Sequence, residues 1–77
     1  MFKDKKVARK INALMLKTQA EINDSIFLVK DNCSKQEFES YRRGCAKVLG
    51  YILLDVLNPI YAVHPDLKPK ELDDEKD

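Results

Sequence analysis

Apolar residues recur at intervals of three and four along most of this chain. Val7, Ile11, Leu14, Thr18, Ile22, Ser25 or Ile26, and Val29 form one series; Phe38, Tyr41, Cys45, Val48, Ile52, Val56, Ile60 and Val63 form a second. Such spacing collects side chains on one side of a 3.6-residue helix, whereas a half-buried strand alternates every second residue. The pattern predicts an all-α chain, with helix 1 over residues 3–30 and helix 2 from residue 35 to at least residue 57.

The break between the two series is "KDNCSKQEF". Asp31 and Asn32 favour a turn. Ser34 followed by Glu37 reads as a capping box, in which the serine hydroxyl and the glutamate carboxylate each satisfy an otherwise unpaired backbone amide. Cys33 and Phe38 stand at the staple positions on either side of it. A connection this short makes the helices antiparallel neighbours, an αα-hairpin.

Near the end of helix 2, Pro59 lacks an amide proton and disfavours helical geometry at Asn58, so the helix stops near residue 57 or kinks there. A kink with one further turn through Val63 keeps Ile60 and Val63 on the apolar side. From Asp66 onward no apolar period survives, and six acids against three lysines give a net charge of −3. The expected organisation is a hairpin domain over residues 1–65 and a charged, mobile tail over residues 66–77. A strap in which Pro65, Leu67 and Pro69 fold back over the helices is the alternative for that tail.

Projected at about 100° per residue, helix 2 gathers Phe38, Cys45, Leu49, Ile52, Val56, Ile60 and Val63 in one stripe. Tyr41 and Val48 flank it on one side, Leu53 and Leu57 on the other, while Leu54 and Tyr61 fall outside. This face spans roughly half the helix, against the ~100° stripe of an ordinary surface helix. Helix 1 carries a second stripe, Ala13, Leu16, Ala20 and Phe27, opposite its first. One partner helix does not cover opposed stripes. Two hairpins packed as a symmetric homodimer do, forming a four-helix bundle that doubles a small core. The expected interface, with itself or a protein partner, comprises Leu16, Phe27, Leu49, Ile52, Leu53, Leu54, Val56, Leu57 and Tyr61. Gly44 and Gly50 would permit close helix approach. The alternative is a three-helix monomer with helix 1 broken at Asn23–Ser25, where Asp24 and Ser25 can both cap.

Length and charge narrow the picture further. At 77 residues the chain is one domain with a small core, and 44% hydrophobic content makes it a folding chain rather than a disordered one. Helix 2 from Val48 to Val63 is nearly apolar in a chain that is 35% charged. That run falls short of the ~20 residues a membrane span needs and holds Asp55, Asn58 and Pro59, so no span is expected. Behind the basic start "MFKDKKVARK", Lys17 and Glu21 interrupt any signal-like apolar run. Cys33 and Cys45 would lie roughly 18 Å apart along one helix, too far for a disulfide. Free thiols and a cytoplasmic location are the expectation.

Candidate chemistry is sparse. Fourteen basic and thirteen acidic residues give a formal charge of +1, so overall charge selects no polyanion. Lys3, Lys5, Lys6, Arg9, Lys10 and Lys17 concentrate positive charge on helix 1, where counterion release on a phosphate backbone would be available. They spread around the polar face, however, and no aromatics interleave them. Arg42 falls within the apolar side of helix 2, where it would either grip an anion or pair with Glu39 and snorkel out. Lys5, Lys6, Arg9, Lys10 and Arg42 are therefore the candidate anion contacts. Asp55 projects to a polar edge. His64, Cys33 and Cys45 have no recurring metal-ligand spacing, and no nucleophile has an oriented base beside it. The expected function is a non-enzymatic, cofactor-free interaction or scaffold module; the alternative is a nucleic-acid accessory protein using the basic turns.

Overall fold

The structure, a computed structural model, describes residues 1–69. Helix α1 covers Lys5–Asn32 and helix α2 covers Lys35–Tyr51. A π-helical segment, Ile52–Leu57, and a last helix α3, Asn58–Val63, continue α2. A 3-10 turn follows at Pro65–Leu67. The two long arms pack against each other as the expected hairpin.

Local chemistry sets the ends of these helices. Asp4, in extended conformation, accepts from the Lys6 amide at 2.8 Å and starts α1. At the turn, the Glu37 amide donates to Ser34 Oγ at 3.1 Å and the Ser34 amide donates to Glu37 Oε1 at 2.9 Å. Both halves of the capping box are formed. Helix α1 runs unbroken through Asn23–Ser25, which removes the three-helix alternative. Ser25 does not cap; its hydroxyl bonds the Ile22 carbonyl within the same helix.

Pro59 leaves its mark one turn upstream. Inside an α-helix its ring would collide with the carbonyl four residues before it. The backbone widens there instead: the Asn58 amide donates to the Leu53 carbonyl, five residues back, and helical dihedrals continue on both sides. A π turn holds one extra residue, so everything beyond it is set back by about 100° relative to an uninterrupted α-helix.

That rotation corrects the projection of the C-terminal turn. Tyr61, expected outside the apolar face, is buried at 7% exposure, and Val63, expected within it, is 48% exposed. Leu57, expected on a flank, is buried at 1% exposure. With the setback applied, Leu57, Ile60 and Tyr61 line up with Cys45, and these are the buried residues of the second arm.

The core therefore sits at the open end of the hairpin. Ala8 of α1 packs with Leu57, Ile60 and Tyr61, and Ile11, Met15, Leu16, Ile52, Leu53, Val56 and Leu67 surround them. Asn12 is buried among them with both amide atoms partnered: Tyr61 Oη donates to its Oδ1 at 2.6 Å, and its Nδ2 donates to the Leu67 carbonyl at 3.4 Å. The segment read as the start of a tail thus packs on the helices. Lys5 pairs with Asp66, and His64 Nε2 donates to the Phe2 carbonyl at 2.8 Å. This is the fold-back arrangement for Pro65 and Leu67; residues 70–77 of the expected tail lie outside the described residues.

Candidate functional site

A hairpin is one helix deep, 16 Å in its shortest extent here, so each of its two broad faces must be accounted for. The C-terminal turn covers one face at the open end. There Leu67, Leu16 and Leu53 pack against the core, and all three are half-buried.

The other face is open. On α1, Val7, Leu14, Thr18 and Ser25 fall within about 40° of one another. Ser25 Oγ lies 2.7 Å from Tyr41 Oη, which shows that this row overlooks the same side of the hairpin as Tyr41. Tyr41 and Val48 are one heptad apart on α2. Between the arms lies a groove of about 510 Å³ lined by Ile22, Ser40, Tyr41, Gly44, Cys45 and Val48.

This face has two properties together. It is exposed where it is apolar: Val7 is 41%, Leu14 51%, Tyr41 40% and Val48 49% accessible. It is also poor in charge: Val7, Ile11, Leu14, Thr18, Ile22, Ser25 and Val29 on α1 and Tyr41, Gly44, Cys45, Val48 and Ile52 on the second arm carry no charged side chain, and Glu37, seven residues before Gly44, bounds the strip at the turn. So little charge along one face stands out on a chain that is 35% charged.

The residues expected at an interface divide three ways. Leu57 and Tyr61 belong to the chain's own core. Leu16, Leu49, Ile52, Leu53 and Val56 are half-buried, and Phe27 and Leu54 stand free at 62% and 63% exposure, pointing away from the groove-bearing face. Val7, Leu14, Tyr41 and Val48 were missed as interface candidates. Their heptad spacing, 7 to 14 and 41 to 48, was the available signal.

The charged candidates separate too. Lys5 is tied to Asp66, which holds that carboxyl below the usual aspartate range. Arg42 Nε lies 3.3 Å from Glu39 Oε1, the pairing that competes with an anion role. Lys6 and Lys10, with Lys17, form an exposed row within about 40° on the side of α1 turned away from the second arm, and Arg9 stands beside it. Cys33 lies exposed at the turn, Cys45 is buried in mid-helix, and His64 is at the opposite end. Among the described residues no three metal-ligating side chains converge.

By length and composition, the continuous helix Lys35–Val63 would reach across a bilayer: its best 18-residue window has a mean hydropathy of 1.4. Comparison with known protein families, curated proteins and solved structures finds no match to this chain.

Proposed function

We propose that this chain is a small, non-enzymatic interaction module, a helical hairpin that works by packing its charge-poor face against another helical protein surface, with a homodimeric four-helix bundle as its assembled form. The observation carrying the reading is that Val7, Leu14, Tyr41 and Val48 remain open on a face poor in charge, while the core cluster of Ala8, Leu57, Ile60 and Tyr61 leaves that face uncovered. Burying apolar area at about 25 cal/mol per Å² is the driving force such a face offers. Lipid is the weaker occupant for the second arm, because Asp55, Asn58 and Pro59 would enter hydrocarbon with it. The proposal includes a cytoplasmic location and no cofactor.

Leu14→Glu and Val48→Glu test it. Both side chains lie outside the core cluster, so each variant should keep its helical circular dichroism while losing association in light scattering after size exclusion. Association undiminished by both charges would overturn the reading.

A second reading rests on the row Lys6, Lys10 and Lys17, which spans about 16 Å along α1 and would meet a phosphate backbone. Fluorescence anisotropy with a labelled oligonucleotide decides it: binding must fall steeply with added salt and with Lys10→Glu. Absence of binding at low salt sinks it.

A further inference from the structure

The geometry of the face in the homodimer proposed above points to where its symmetry axis lies. We propose that the two copies are related by a two-fold axis that crosses the helices at the level of Thr18 and Val48, so that Leu14 of each copy enters the groove beside Gly44 of the other. This inference rests on the reading above and deepens it.

Gly44 is the first reason. A glycine within a helix costs about 1 kcal/mol relative to alanine. Inside the hairpin nothing justifies it, as nothing justifies Gly50: a Cβ at either would meet no neighbouring atom within 4 Å, and neither φ is positive. What sets Gly44 apart is that it lines the groove on the charge-poor face. An approach from outside the chain supplies the missing reason.

The second reason is the position of the protruding side chain. Leu14, 51% exposed, stands on the same face as the groove. Ile22 lines the groove with Gly44 and Cys45, and is eight residues, or about 12 Å, further along α1. A two-fold axis lying in the interface and crossing the helices midway exchanges these two levels and makes both contacts at once. The midpoint on α1 is Thr18. Its level on the second arm is Val48, because Ser25 meets Tyr41 and the arms run antiparallel. Residues at such an axis face their own counterparts.

The area is the third. The strip is about 33 Å long on α1, from Val7 to Val29, and about 16 Å long on the second arm, from Tyr41 to Ile52. At about 10 Å of width per helix it offers roughly 500 Å² per copy, or about 1,000 Å² in all, the lower limit for a specific interface.

Two experiments on the full chain test the arrangement. In sedimentation equilibrium, Gly44→Ala should weaken the dimer about tenfold, while Gly50→Ala, which also meets nothing within 4 Å but lies on another side of the helix, should leave the dimer constant unchanged. In a Cys33→Ser background, Val48→Cys should form a disulfide between copies through residue 48 itself, located by mass spectrometry, and Leu14→Cys should not pair with its counterpart. A dimer indifferent to Gly44→Ala, or one linked through Leu14→Cys rather than Val48→Cys, overturns this geometry while leaving the interaction face standing. A monomeric wild-type chain overturns both.

Discussion

If the π turn sets the phase of the core, then removing one residue from it should be tolerated and adding one should not. Leu54 lies within the turn and is 63% exposed, so its deletion removes little packing. Without it, Ile52–Leu57 can straighten into α-helix and still present Leu57, Ile60 and Tyr61 to Ala8. Straightening restores the collision between Pro59 and the carbonyl four residues earlier, at a cost of about 3 kcal/mol, which Pro59→Ala removes. An alanine inserted after Leu54 turns the same three side chains a further 100° or so away from the core. Losing them forfeits about 1.5–3 kcal/mol each, together comparable to the whole stability of a chain this size, about 4–12 kcal/mol. Urea unfolding followed by far-ultraviolet circular dichroism should place the deletion with Pro59→Ala within about 2 kcal/mol of wild type, and find the insertion with Pro59→Ala unfolded without denaturant. Equal stability of the two variants would refute the reasoning.

Tyr61→Phe leaves Asn12 Oδ1 buried without its donor and should cost about 1–3 kcal/mol in urea unfolding. Burial raises the Tyr61 phenol above its ordinary value; its contribution is complete below the usual tyrosine range and should be lost as pH rises through the raised value, a dependence absent from Tyr61→Phe. For Asp66 the sign is opposite: its carboxyl is lowered by the Lys5 contact, so the small share of C-terminal docking it supplies is present above the usual aspartate range and lost as pH falls through the lowered value. NMR should read this as a slight shift of the Leu67 methyl signals, with Leu67 packing and the Asn12 bond holding the turn in place. Ser34→Ala should lower stability by about 0.5–2 kcal/mol through loss of the capping box, and an unchanged urea midpoint would show that the connection is set by the helices rather than by the cap.

The parts of the fold that depend on near neighbours were readable from the chain. Ser34 and Glu37 specify the turn because a capping box is a contact over three residues, and the three-and-four spacing specified both helices because it needs no knowledge of the partner. Where Pro59 sits was also plain, and the helix does continue through Val63. What spacing alone could not supply was the widened turn upstream of that proline. A fixed 100° step carried through residue 63 reverses Tyr61 and Val63, and with them the division between core and surface. The docking of Leu67 was visible only as the alternative to a mobile tail, because what decides it, the buried Asn12 amide and Lys5, lies about sixty positions away and carries no periodic signal. The charge-poor face was half visible. Tyr41 and Val48 read as flank positions because a single-helix projection does not show which flank the second arm leaves open.

Sedimentation equilibrium of the wild-type chain beside Val48→Glu, at two salt concentrations, bears most directly on the claim that this face is an interface. The wild-type chain should have a mass near twice 8.9 kDa, little changed by salt because the contact is mainly apolar, and Val48→Glu should be a helical monomer. A wild-type mass of 8.9 kDa across the accessible concentration range, or a dimer that survives Val48→Glu, would contradict that claim.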